Sequence, residues 1–434
     1  MGVDKFPKVL VVSTNAWQDN TGINTLIQFF KCWEREKVAQ IYTRTALPNT
    51  SVCDNFFRIS ENAVVKSWFK PNIATGSVVY NKYNSSDEEA AAVNTEKKLY
   101  SNSGKNLSEI LNICRELAWK FGKWKTKELD EFIEEFNPDV LFIPIYPTIY
   151  MGRIQKYIIK KTGKPVVSYL ADDNYTFRNI KKNPFAIIKR LNLRKYVKYI
   201  VDNSEKLLVI APKQKEEYDA IFGINSGILT KGIDFKDKQY IKHKAKYPIK
   251  MVYTGKLIIG RWKSLAAIAD VLEEINANSI KIELDIYTTE SLTAKQDKAL
   301  NKNGCSVKGA LSLKEVADVQ RKADILVFVE GLEKRHKDIA RLSFSTKITD
   351  YLSNGKCIFA VGDKEIAPID YFNRYDSAIT ASCYDEIKEK LHQIVNNTEL
   401  IAEYSEKAYN CGKNNHSLEK MNQILIDSIN DAIK

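Results

Sequence analysis

Apolar and polar positions along the chain alternate in blocks rather than residue by residue. Short apolar runs, "KVLVVST" at 8–14, "AQIYTRT" at 39–45, "PDVLFIPI", "KPVVSYL" and "KLLVI", are separated by stretches with helical spacing such as "NTLIQFFKCWEREK". A strand covered on both faces reads as a continuous apolar run, and a helix between two such runs is the repeating unit of a parallel sheet. A second series begins near residue 249 with "IKMVYTGK" and continues through "IKIELDIYT", "CSVKG", "ADILVFVE", "KCIFAVG" and "SAIT". The pattern predicts an α/β protein of two doubly wound domains. The polar, basic stretch "TKGIDFKDKQYIKHKAKYP" puts the join at about 235–248, with an N-terminal domain over 1–240 and a C-terminal domain over 241–415. Residues 416–434 read as an amphipathic helix able to pack back on the first domain. Residues 54–105 break the rhythm with turn formers and charges and are expected to form a loop-rich insertion, followed by a helix over about 106–136.

At 434 residues the chain is long enough for two cores. It has no run of about 18 apolar residues to span a bilayer, and Met1 to Lys8 is too polar for a signal peptide. Its seven cysteines are scattered, without a C-x-x-C pair or histidines at ligand spacing. They read as reduced thiols of a cytoplasmic protein with no zinc site.

The formal net charge of +12 favours anionic partners in general. Its distribution is more informative, because "KKNPFAIIKRLNLRKYVK" at 181–198 threads Phe185, Ile187, Ile188, Leu191, Leu193 and Val197 between basic residues. That is a basic amphipathic helix suited to an anionic membrane surface, and also the pattern of a solvated helix beside a core. Nothing marks nucleic-acid binding, since interleaved exposed aromatics and helix-turn-helix geometry are missing.

Two familiar nucleotide signatures, G-x-G-x-x-G after the first strand and G-x-x-x-x-G-K-[ST], are absent, as is a G-x-S-x-G elbow. All four histidines lie after residue 240, so a histidine-based triad across the domains is hard to build. Three features point instead to an anionic ligand. Gly22, entering the first helix, permits close approach of backbone to a ligand. In "YTGKLIIGRWKSL", Gly255 keeps the backbone open while Lys256, Arg261 and Lys263 gather cations at the carboxyl end of a strand, where open α/β sheets bind ligands. In "RLSFSTKITDYLSNGK", Ser343 or Ser345 can cap a helix whose first turn carries Thr346 and Lys347, with Asp350 one turn on. A phosphate at that helix start and a ribose over its first turn would account for the pattern.

Taken with "KGID" at 231–234 and the intervening "ADILVFVE", these two segments resemble the second domain of a GT-B glycosyltransferase of family 4, in the bacterial polysaccharide subgroup. The resemblance covers the C-terminal half specifically and the first domain in outline. It implies the GT-B fold, two Rossmann-like domains facing a central cleft, and retaining transfer from a nucleoside-diphosphate sugar to a glycan or polyprenyl-linked acceptor at the inner face of a membrane. It also implies a metal-free reaction, with Lys256 and Arg261 countering the pyrophosphate and Lys263 as the other candidate for the second cation. Ser345, Thr346 and Lys347 would meet the diphosphate, and Asp350 takes the place of the second glutamate of the family's E-x7-E motif, which binds ribose. The first glutamate's position is Leu342, and the histidine of many relatives' first domain has no counterpart. Asp172 and Asp173 in "YLADDNYTF", with Tyr146 or Tyr150, are the candidates to contact the sugar from that side, Asp172 as acceptor-binding group or base. A nucleotide-sugar epimerase or a glycogen-type synthase on the same fold, and a non-catalytic scaffold binding a membrane or partner enzyme, are the alternative readings.

Overall fold

The structure, a computed structural model, describes residues 6–19, 25–70, 72–81, 105–180, 183–236, 238–242 and 244–434, with side chains of the helix starting at 105 described from 112. Gly22 lies outside the described residues. Two sheets carry the fold. The first contains β1 (Val9–Val12), β2 (Val38–Tyr42), β3 (Asn55–Ile59), β4 (Gly76–Val79), β5 (Val140–Pro144), β6 (Val166–Leu170), β7 (Lys206–Val209) and β8 (Gly227–Ile228), in the order β4-β3-β2-β1-β5-β6-β7-β8. All neighbours are parallel except β3 and β4. The second contains β9 (Ile249–Thr254), β10 (Ile282–Tyr287), β11 (Cys305–Gly309), β12 (Ile325–Val329), β13 (Cys357–Val361) and β14 (Ile379–Ala381), in the wholly parallel order β11-β10-β9-β12-β13-β14.

Helices on both faces bury the central strands, which is why these read as unbroken apolar runs. Each sheet has a switch point where chain order reverses, between β1 and β5 in the first and between β9 and β12 in the second. A crevice at the carboxyl ends of the strands follows at each.

The sequence expectations need correction in three places. The helix expected over 24–37 runs only from Thr25 to Phe29 before the chain turns and enters a short 3-10 segment, Arg35–Lys37. Phe30 and Trp33 leave the helical path to pack edge-on to each other, with Phe30 against Phe142 of β5 and the Trp33 indole donating to the Pro7 carbonyl. The single helix expected over 106–136 is two, Lys105–Phe121 and Lys127–Phe136. Gly122 lies against Val64, where a Cβ would collide, and Thr126 restarts the chain by accepting from the Leu129 amide. Residues 54–105 are not only loop, since β3, the helix Glu61–Lys66 and β4 extend the first sheet.

The chain's last helix, Leu418–Ile433, returns to the first sheet. Met421, Leu425, Ile426 and Ile429 join Val9, Val11, Phe142 and Tyr169 in one buried cluster. Its junction with the preceding helix, Glu399–His416, is pinned to the linker by paired amide bonds, Ile233 to the His416 carbonyl and Leu418 to the Ile233 carbonyl.

Candidate functional site

A cleft of about 520 Å³ opens at the carboxyl end of β9, beside the second switch point. Lys256 and Gly255 form its floor after the strand, and Lys347 and Asp350 enter from the helix Thr346–Ser353. Leu311, Leu313, Val316 and Ala317 make the opposite, apolar wall. The cleft therefore joins a cationic end, a carboxylate and a greasy flank.

Sequence reasoning brought four of these groups together: Gly255, Lys256, Lys347 and Asp350. Each is held for an identifiable reason. Ser345 caps its helix by accepting from the Lys347 amide. Ile348, Tyr351 and Leu352 bury the helix's apolar face and so turn Lys347 and Asp350 toward the cleft. Lys347 donates to the Thr254 carbonyl at 3.1 Å, and its ammonium sits 5.2 Å from the centre of the Tyr253 ring. Burial there pushes the Lys347 pKa down to about 8. Tyr253 in turn donates to the Lys256 carbonyl at 2.6 Å and so shapes the turn carrying Lys256. Asp350 pairs with Lys231 of the interdomain linker at 2.6 Å.

The remaining predicted residues lie elsewhere. Arg261 forms a two-point pair with Glu330 at the end of β12, at 3.0 and 2.7 Å, and does not line the cleft. Lys263 pairs with Glu333 on the surface, and Thr346 is exposed at the helix start. Leu342 is buried within the first domain's hydrophobic cluster. Tyr150 is buried, stacked on Trp119 with the Arg115 guanidinium 4.6 Å from its ring centre, and does not line the cleft. Tyr146 is half-buried, and burial raises its pKa to about 12.

The acidic pair splits. Asp173 is buried, and although burial pushes its pKa up, hydrogen bonds from Thr176, Tyr218 and Tyr175 hold it below the usual carboxylate range. Asp172 keeps a surface open to solvent yet sits deep enough among protein atoms for desolvation to raise its pKa, with Asp173 pushing the same way and Ser343 opposing. The Ser343 hydroxyl reaches it at 3.3 Å from the second domain. Opposite shifts on adjacent carboxyls separate a fixed charge from a protonatable group.

Sequence reasoning missed several groups. Lys238, Gln320 and Asn354 line the cleft, and Lys238 donates to Ser353 at 3.0 Å. Burial lowers the Lys238 pKa. Arg341 is buried in a cross-domain cluster, paired with Glu217 and, at 3.3 Å, with Asp173. The polarity of the linker was visible in the sequence; its contact with the 346–353 helix was not. Among the described residues, no three His, Cys, Asp or Glu side chains converge as a metal site, and no helix is long and apolar enough to cross a membrane.

No protein-family model and no curated protein matches the chain significantly. Its likeness to solved structures spans the whole chain. An E. coli trehalose-6-phosphate structure bound with UDP-2-fluoro glucose superposes with a TM-score of 0.60 over 98% of this chain and 99% of that one, at 11% identity. Anabaena HepE in complex with UDP and glucose gives 0.58 over 98% and 99%, at 9% identity. The chain has the GT-B fold. Sucrose-phosphate synthase from Thermosynechococcus elongatus, with a TM-score of 0.54 at 9% identity and 96% of each chain covered, shares the same two-sheet arrangement. At these identities the GT-B likeness concerns the path of the backbone, and the side chains of the cleft are this chain's own.

Proposed function

We propose that the chain is a retaining glycosyltransferase that moves a sugar from a nucleoside-diphosphate donor to a glycan or lipid-linked acceptor. The observation that carries the reading is the cleft at the second switch point. There Lys256 and Lys347 offer positive charge where a diphosphate needs it, while Asp350, one helical turn on, offers acceptors to ribose hydroxyls. In the transfer, the bond from the anomeric carbon to the diphosphate oxygen breaks and the acceptor hydroxyl oxygen bonds that carbon, its proton leaving with the nucleoside diphosphate. The lysine charge stabilises the departing diphosphate and needs no metal partner. Asp172, which follows β6 in the first domain and accepts from Ser343 of the second, is assigned to the acceptor side. The GT-B neighbours with UDP bound support a nucleotide donor.

A role in bacterial surface polysaccharide assembly, as in glycosyltransferase family 4, fits the motifs of the second domain. In the helix Pro184–Asp202, Phe185, Ile188 and Leu191 are exposed. With Lys189 and Lys195 on the same helix, they suit the cytoplasmic face of an anionic membrane.

The test is thermal stability of the purified chain with UDP, GDP, dTDP, CMP and ADP, followed by release of sugar from the matching donor. One nucleotide should raise the melting temperature. Silence with all five removes the reading. Leu342 favours one competitor, a scaffold that binds nucleotide without transfer, because no carboxylate stands at that position. Binding without donor turnover would identify it. Cosedimentation with vesicles containing phosphatidylglycerol, compared with phosphatidylcholine alone, tests the membrane face.

A further inference from the structure

The carboxylate of Asp350 enters the cleft already half engaged. Its Oδ1 receives the Lys231 ammonium at 2.6 Å, and among the described residues its Oδ2 has no hydrogen-bond partner. Most lysine–carboxylate pairs near a surface are loose, because both side chains can swing away. This one is anchored at the root of the lysine. The Thr230 hydroxyl, one residue before, is bonded to the buried His416 ring at 2.6 Å. Ile233, two residues on, donates its amide to the His416 carbonyl and accepts from the Leu418 amide. Gly232 between them lies so close to Leu418 that a Cβ there would collide. The Lys231 stem therefore starts from a fixed point, and its side chain is only 24% exposed.

A carboxylate reads a ribose by taking one hydroxyl on each oxygen, and the penalty for a missing hydroxyl comes from the acceptor left unpaired. Where the unpaired group is buried, discrimination reaches about 10⁴-fold. Asp350 escapes that penalty on two counts. Lys231 already satisfies Oδ1, so nothing is stranded there when a hydroxyl is missing. The Asp350 side chain is also 43% exposed, so water can cover an oxygen that a ligand leaves bare. Two neighbouring acceptors of the cleft are taken within the protein, Ser353 Oγ by Lys238 at 3.0 Å and Gln320 Oε1 by Asn354 at 3.2 Å. Neither replaces Oδ1 as a reader of the second hydroxyl.

We propose that Lys231 is a specificity-determining residue: by occupying one oxygen of Asp350 it leaves the site reading a single sugar hydroxyl of the nucleoside, so that 2′-deoxyribose donors are accepted as readily as ribose donors. The inference deepens the nucleotide-donor reading above and rests on it. The substrate class it adds is the deoxyribonucleoside-diphosphate sugars, which differ from their ribose counterparts by one oxygen remote from the bond that breaks.

The experiment is titration calorimetry with the diphosphates of uridine, cytidine, guanosine, adenosine and 5-methyluridine, each against its 2′-deoxy form. The chains compared are the parent, Lys231→Met and Lys231→Arg, each checked for unchanged circular dichroism. Within the pair that binds, the parent should hold the two forms with affinities within about threefold of each other. Lys231→Met leaves both Asp350 oxygens to the ligand and should favour the ribose form by about tenfold or more, because the deoxy form then leaves one oxygen unpaired. Lys231→Arg should keep the parental ratio. A parent that prefers ribose by more than the expected margin, or a Lys231→Met chain whose ratio stays parental, overturns the proposal and leaves the donor reading standing. A parent that binds no member of any pair overturns both. If Lys231→Met does not fold, the parental ratio decides alone.

Discussion

The Arg341 guanidinium spans the boundary between the two sheets to donate to both carboxylate oxygens of Glu217. The same guanidinium reaches Asp173, whose neighbour Asp172 receives the Ser343 hydroxyl. Residues 341–343 therefore fix the first domain's acidic pair relative to the second domain. Replacing Arg341 by Ala leaves Glu217 without its partner and Asp173 with only its hydrogen bonds from Thr176, Tyr175 and Tyr218, so the cost falls below the roughly 3–5 kcal/mol of a fully stranded buried charge, at about 2 kcal/mol. Arg341→Ala should lower denaturant stability by about that amount, measured by urea unfolding, with a second transition as the domains uncouple. A single transition at parental stability would show that the pair does not hold the domains.

Lys231 and Asp350 form a half-exposed pair, and such pairs contribute about 0–1 kcal/mol. Asp350→Ala should leave the melting temperature of the empty protein within about 2 °C of the parent. It should also abolish the shift produced by the matching nucleotide, as should Lys256→Ala. A nucleotide shift of parental size in Asp350→Ala would remove the ribose role.

Asp172 carries a raised pKa, so its ionised form is less favourable folded than unfolded. The folded chain then binds more protons than the unfolded one between the unfolded and folded values, and stability falls as pH rises through that window. Asp172→Asn should therefore raise the melting temperature at pH 7 and lower transfer at least tenfold. If Asp172 acts ionised on the acceptor, kcat/KM in the parent should fall on acidification through a pKa above the ordinary carboxylate range, a limb missing from the variant. Asp173→Asn should instead destabilise, because the folded Asp173 pKa is depressed: its stabilisation is present above the unfolded value and lost as pH falls through the folded one.

Gly255→Ala tests the crowding of the cleft floor. The new methyl meets the Lys347 ammonium, the far end of a flexible side chain that can yield into the cleft, so the fold should survive while nucleotide affinity drops about tenfold or more by calorimetry. Parental affinity would show that Lys347 moves aside freely.

The strands were legible because a sheet covered on both faces demands apolar residues at every position, as in "VLVV" and "ILVFV". β3 and β4 were not. They sit at the sheet edge, β4 is largely exposed, and their sequences "NFFRI" and "GSVV" lie among turn formers that fit a loop equally well. The cleft's chemistry was half legible. Local order places Lys347 and Asp350 on one side of a helix, and the amphipathic pattern shows that side. Which cation is already occupied depends on Glu330, 69 residues from Arg261 in the chain. Nothing at position 341 announced a buried arginine, since its partners at 173 and 217 belong to the other sheet.

The return of the Leu418–Ile433 helix to the first sheet has a bearing on biosynthesis. A ribosome that has completed β1 to β8 has released a sheet with one flank still incompletely covered, and the residues that complete it are made only after the second domain. The second domain can close on itself while the first waits. A nascent chain therefore carries an exposed apolar face until the second domain has been made, and a stop anywhere between residues 240 and 418 injures the domain that precedes it.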